Sequence, residues 1–357
     1  MCGDSQRISC DNVPFQVRIV PISSATKWEY LKEVDLERVL LRDCETVYMC
    51  QSLEKAESAV VTDRGVQAIS FSVDGKHVYV LSVVGMSMYE ASSGRFLRNN
   101  TNICQANFFA LSPNGEFILI QTKDAFEIYN CKLEYQWSLL DHPVAHHFFF
   151  KFIDDDRVLF LFKRGDIQVW NIAESKLFVE KLNSNNSLVE CCDVFTLEKS
   201  AGDISTWHYR LLFCDRHGSL SLHDTFKSRT FTQKVPNDQI VKCCKFSPDG
   251  RSVVTGHIDG TLRIWEGSLF EIKKILPPGD GLIRGCGFLV QDLGDVVVGV
   301  HESGGLKVWD VFRNRVLGCM SFEGKLRGLV TSPLNAQVCV ALENKIVILN
   351  VHRYEID

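Results

Sequence analysis

The sequence predicts an all-β protein in which one short unit, strand, tight turn, strand, tight turn, strand, is repeated seven times and closed into a ring. Three observations predict it. A five-residue pattern, apolar-x-apolar-aromatic followed by an acid or an amide, recurs along the chain. Its spacing is nearly constant. A second pattern, a buried strand ending in a Pro/Asp/Asn-Gly turn, recurs upstream of it in the same phase.

The first pattern reads MSMYE to Glu90, FEIYN to Asn130, IQVWN to Asn171, LRIWE to Glu266 and LKVWD to Asp310. LSLHD to Asp224 and IVILN to Asn350 are degenerate copies, with His223 and Leu349 in the aromatic place. From Tyr89 to Leu349 the interval averages about 43 residues, the period of a four-stranded unit. The second pattern reads VQAISFSVDG from Val66, ANFFALSPNG from Ala106 and VKCCKFSPDG from Val241, with weaker copies from Phe148, Val189, Ile283 and Leu326. An apolar run such as HVYVLSV, FILIQT or SVVTG follows each turn, and a looser fourth strand such as GRFLRN follows several units. One small sheet cannot bury both of its faces, so the repetition is what supplies each unit with neighbours.

Bulk properties agree with a globular array. Of 357 residues, 45% are apolar and 23% charged, and the formal charge is −5. The first residues place Asp4 and Arg7 where a signal peptide needs an apolar core, and no run of apolar residues is long enough to span a bilayer. The expectation is an intracellular protein, cytoplasmic or nuclear, with no membrane association. The 14 cysteines lie inside apolar runs without any C-x-x-C, which points to reduced buried thiols rather than a disulfide framework or a zinc finger. Cys191-Cys192 and Cys243-Cys244 sit in strand-like runs, where successive side chains point to opposite faces, so neither pair is placed for a disulfide.

On these in-phase copies the chain resembles the WD40-repeat family of β-propellers. The resemblance covers roughly residue 45 to the C-terminus and implies a single seven-bladed propeller over 45–357, preceded by an extension over 1–44. In the extension, TKWEYLKEVDLERVLLRD opens with Thr26 and Glu29 at capping-box spacing and predicts one short helix. Propellers of this kind commonly borrow their last outer strand from the N-terminus; ETVYMCQS, 45–52, has the composition for it, and the terminal VHRYEI is the alternative. Two features depart from the family pattern. Only Trp309-Asp310 is a literal Trp-Asp, and no Gly-His precedes any first strand. Of the family's locking set of His, Ser/Thr, Asp and Trp, Thr255, Asp259 and Trp265 supply three members in one blade. The interval from Trp170 to His223 is 53 residues, and the surplus is assigned to Thr196–His208, between the first and second strands of the fourth blade.

Nothing along the chain has the pattern of a catalytic site. His146-His147 and Asp141-His142 read as rim side chains, and Asp154-Asp155-Asp156 occupies a turn slot, with calcium binding as a weaker reading. PPGDGLIRGCG, from Pro277, has glycines but no phosphate-loop pattern and no following helix. The expectation is no enzyme, no cofactor, no metal and no small-molecule substrate.

Function is expected instead on the loop-exposed strand ends, because blade interiors are committed to packing. By resemblance, one face of the ring presents the start of each first strand and each second-to-third turn. At the second position of the first strands the blades carry Gln67, Asn107, Phe148, Glu190, Lys242, Arg284 and Arg327, three consecutive blades being basic. Lys325 adjoins them, and the turns add Lys163, Arg164, Arg216 and His217. The sharp expectation is a basic face that receives an acidic or phosphorylated peptide, with Lys242, Arg284 and Arg327 as charge anchors and Phe148 as an apolar one.

The leading function is thus a protein-protein interaction scaffold or adaptor, a subunit of a multiprotein complex. A substrate receptor of a cullin-type ubiquitin ligase is the alternative, although VWDVFRNR puts Arg313 one residue beyond the W-D-x-R place. A detached relative of the sensor propeller of a signalling ATPase is a further version. A nucleic-acid-associated propeller subunit is the runner-up of a different class: a basic face could touch phosphates, but the acidic balance and the lack of basic runs argue against a nucleic-acid partner.

Overall fold

The computed structural model describes residues 65–103, 105–139, 147–181, 188–197, 208–235, 240–267, 271–279, 281–290, 296–322, 324, 326–343 and 346–351, together with the backbone of 15–20. Among the described residues all regular structure is β, in seven four-stranded antiparallel sheets. We number these blades 1 to 7 from Val66 onward and name their strands inner, second, third and outer. The inner strands are Val66–Phe71, Phe108–Leu111, His147–Phe152, Val189–Leu197, Val241–Phe246, Ile283–Leu289 and Leu326–Thr331.

The core lies between the blades. Each of the seven apolar clusters draws on two consecutive blades, and the ring closes where Cys339, Ala341, Ile346 and Ile348 of blade 7 meet Val66, Val78 and Tyr89 of blade 1. The signature aromatics serve this packing: Trp265 joins the cluster between blades 4 and 5, Trp309 that between 5 and 6, and each is 1% exposed. The adjacent cysteines divide as the strand geometry requires. Cys244 enters the cluster toward blade 4, while Cys243 packs against the one toward blade 6. The nine described cysteines are all free thiols.

The aligned turns are copies down to single hydrogen bonds. In blades 1, 2 and 5, Ser72, Ser112 and Ser247 each donate at 2.6 Å to the side chain two residues on, Asp74, Asn114 and Asp249. The serine oxygens also accept the backbone N–H of His77, Phe117 and Ser252. Gly75, Gly115 and Gly250 follow with φ of 66°, 74° and 67°, a region that favours glycine, which is why the pattern ends in Gly.

The ring's closing strand differs from the sequence reading. Phe15–Val20 pairs antiparallel with Ile346–Val351 over six residues and forms the outer strand of blade 7, so neither 45–52 nor VHRYEI holds that place. Residues 45–52, the helix expected within 26–43, and 352–357 lie outside the described residues. Deleting residues 1–20 is expected to leave an unpaired strand edge and to cause concentration-dependent association in light scattering. A monomer with the wild-type melting midpoint would contradict this closure.

In blade 4 the inner hairpin is longer than its counterparts, pairing Thr196 with Tyr209 and Leu197 with His208. The insertion predicted at Thr196–His208 thus begins as extended hairpin, and its tip, 198–207 with Trp207, lies outside the described residues.

Candidate interaction surfaces

Antiparallel connectivity sorts the loops onto two faces. The upper face holds the starts of the inner strands and the second-to-third turns; the lower face holds the inner-to-second and third-to-outer turns. On the upper face one local device places the candidate residues. In six blades the inner strand carries a β-bulge whose skipped residue is Gln67, Phe148, Glu190, Lys242, Arg284 or Arg327. A bulge releases one residue from the ladder and re-aims its side chain, so the alignment had picked out these residues for a structural reason. Asn107 of blade 2 instead precedes its strand and donates its N–H to Gln121 O at 3.1 Å. Gln67, Asn107, Lys163, Arg164, Arg216, His217, Arg284 and Arg327 are exposed, while the side chain of Phe148 and the whole of Lys325 lie outside the described residues.

The basic side chains do not stand alone. Lys242 Nζ lies 2.7 Å from Glu190 Oε1, and Arg216 Nε lies 3.3 Å from Glu190 Oε2. Arg284 pairs with Glu302, and Arg327 Nη2 with Glu343 Oε1 at 3.0 Å. Glu302 and Glu343 follow the second strands of their own blades, so the same face supplies both signs. The surface is a mosaic of ion pairs rather than a uniformly basic field. Pairs this exposed contribute about 0–1 kcal/mol each, so an incoming charged group can replace either partner at little cost.

A second ionic group lies on the inner strands, near the lower face. Counting three residues past each bulge, blades 3, 4 and 5 present Lys151, Asp193 and Lys245. Asp193 Oδ1 accepts from Lys151 Nζ at 3.4 Å and Lys245 Nζ at 3.1 Å, and its Oδ2 accepts the Phe246 N–H at 3.0 Å. Burial alone would push the Asp193 carboxyl up, but the two ammonium charges and the Phe246 N–H outweigh it and hold it below the usual carboxylate value. Lys245 is raised in return: burial opposes its charge, and Asp193 overrides that. The group ties three blades together.

In blade 5, Trp265 Nε1 donates to Thr255 Oγ1 at 2.7 Å, and Thr255 Oγ1 is also hydrogen-bonded to His257 Nε2 at 2.7 Å. His257, the last residue of the second strand, supplies a histidine beside Thr255 within the same blade. Asp259 sits in the turn beyond it, accepting from Thr261 and pairing with Arg263 Nη2 at 3.1 Å. Burial raises the Asp259 carboxyl, but Thr261's hydrogen bonds and the charges of His257 and Arg263 leave it depressed. These are fold-locking groups.

Asp141, His142 and His146 and the side chain of His147 lie outside the described residues; Asp154, Asp155 and Arg313 are engaged in turns. Asp154 Oδ1 accepts the N–H groups of Asp156 and Arg157, and Asp155 accepts the Asn114 N–H from blade 2. Among the described residues no group of three or more His, Cys, Asp or Glu is placed to hold a metal ion. Arg313 turns back on Asp310, its N–H donating at 2.8 Å and its guanidinium 3.8 Å from the carboxylate.

Seven four-stranded blades with their cores between them define a seven-bladed β-propeller. The family described as "WD domain, G-beta repeat" matches residues 227–266, which span the outer strand of blade 4 and the first three strands of blade 5. The matched repeat and the seven-bladed ring together support a WD40-repeat propeller, a family whose members are in general non-catalytic interaction scaffolds. A curated relative, "Serine-threonine kinase receptor-associated protein" of Dictyostelium discoideum, is 59% identical over 27 residues. That match spans 8% of this chain and 9% of the relative's length.

Proposed function

We propose that this chain is a non-catalytic scaffold that holds partner proteins on its rims as a subunit of a larger assembly, with the upper face as its principal docking surface. The supporting observation is the bulge-presented ion-pair mosaic. Arg284 and Arg327 stand on neighbouring blades and, among the described residues, pair with Glu302 and Glu343, so a carboxylate or phosphate of a partner segment can take the place of these acids. An acidic or phosphorylated segment is the chemistry these two arginines select. Lys242 contributes less to that exchange, being shared with Glu190 and less exposed.

The test is recovery of stoichiometric partners from native cells by tagged wild type and by the Arg284→Glu/Arg327→Glu variant. Loss of a partner from the variant, with an unchanged melting midpoint, is expected. Equal recovery by both forms, or no stoichiometric partner with either, would contradict the proposal.

A further inference from the structure

A second surface that joins exposed aromatic and basic side chains lies on the lower face. Four third-to-outer turns share one backbone, with a left-handed residue at Gly94, Ser175, Ser228 and Asn314, and φ between 49° and 67°. Two residues before it, blades 1 and 3 carry Ser92 and Ala173, whereas blades 4 and 6 carry Phe226 and Phe312. These two phenylalanines are 66% and 90% exposed. Phe226 packs edge-on against His208 of the extended hairpin in its own blade, ring centroids 5.0 Å apart, and Phe312 projects from its turn at 90% exposure.

Charge changes at the same positions. Glu90 pairs with Arg95 in blade 1, and Glu174 stands with Lys176 in blade 3. Blade 4 has Lys227 and Arg229, and its acid, Asp224, is buried and pairs with Arg210 of the second strand; blade 6 has Arg313, whose guanidinium lies 3.8 Å from the buried Asp310. In a chain of net charge −5, two turns that each combine an exposed Phe with an exposed cation beside it, Lys227 or Arg313, are a local departure from the bulk sign. Seven of the ten exposed large apolar side chains among the described residues also lie on or beside this face's turns, including Val73 and Leu334.

We infer that the lower face of blades 4 to 6 is a second docking surface, and that its occupant is an acidic segment of a partner protein whose apolar side chains cover Phe226 and Phe312. Charge complementarity selects the segment: its carboxylates meet Lys227, Arg229 and Arg313, and its apolar residues meet the two rings. An anionic membrane fits less well, because the blade between them exposes Glu266 and Glu271 beside the same turn and a continuous layer of lipid headgroups cannot avoid them.

The experiment selects random peptides displayed on phage against the full chain, then measures the enriched peptides on purified variants. Enrichment of acidic peptides containing apolar residues is expected. Their binding should fall more than tenfold in Phe226→Ala/Phe312→Ala and in Lys227→Glu/Arg313→Glu, and stay unchanged in Arg284→Glu/Arg327→Glu, which separates this surface from the upper face. Both phenylalanines are exposed, so the alanine variant should melt as wild type does. Absence of enrichment, enrichment of peptides without acidic residues, or equal binding by the phenylalanine variant would overturn the inference. Phe226-dependent sedimentation with phosphatidylserine vesicles, without acidic-peptide binding, would overturn it in favour of a lipid surface.

Discussion

Replacing Trp265 by alanine is expected to cost about 3–5 kcal/mol in urea unfolding, because the change empties a fully buried indole site between blades 4 and 5. Trp265→Phe keeps most of the volume but strips Thr255 Oγ1 of its indole donor, which should cost about 1–3 kcal/mol. Blade 6 provides an internal control. Gly299 occupies there the place of Thr255, close to the Trp309 ring, so that position offers the indole no hydroxyl. Trp309→Ala should therefore cost about as much as Trp265→Ala, again roughly 3–5 kcal/mol, while Trp309→Phe should cost less than Trp265→Phe. Equal penalties for the two phenylalanine variants would show that the Thr255 hydrogen bonds do not lock the blade.

The second large effect is expected at Asp193. Removing its carboxylate in Asp193→Ala leaves Lys151 and Lys245 facing each other and the Phe246 N–H without its acceptor. Breaking a buried pair this way costs about 3–5 kcal/mol. The low end, about 3, applies here because both lysines are 42% exposed and solvent screens them. The pH dependence has a definite sign. Asp193's folded value lies below its unfolded one, so the stabilisation is fully present above about pH 4, the ordinary Asp value, and is lost as pH falls through the folded value. Lys245 is displaced upward, so its share is present below its ordinary value, about 10.4, and disappears only in stronger base. In Asp193→Asn the wild-type loss of stability below about pH 4 should be reduced. Parallel acid-melting curves for wild type and variant would contradict the assignment.

Much of the fold was legible because a repeat constrains itself. The spacing of Tyr89, Tyr129, Trp170, Trp265 and Trp309 determined blade number and phase, and the Ser-x-Asp/Asn-Gly turns recurred with identical hydrogen bonds. Ring closure was not legible in this way. ETVYMCQS and FQVRIV both have strand composition, and which of them meets Ile346–Val351 is a long-range choice that neither segment encodes alone.

The surfaces were legible only in part. Aligning first strands found the bulge residues, but it collected cations at one register position and overlooked Glu302 and Glu343 in HESG and LENK, which the second-to-third turns bring to the same face. His257 was missed as a locking residue because it ends a second strand rather than preceding a first. Phe226 and Phe312 were within reach: aligning the turns after Asp224 and Asp310 shows TFKSR and VFRNR side by side.

The central claim is that the blades are committed to packing and the strand ends and turns carry the function. Hydrogen-deuterium exchange of the chain, alone and saturated with its stoichiometric partner, tests that claim most directly. The account predicts new protection at the starts of the inner strands of blades 4 to 7 or at the turns after Asp224 and Asp310, with the second and third strands of every blade unchanged. New protection confined to blade interiors, with both faces unaffected, would contradict it.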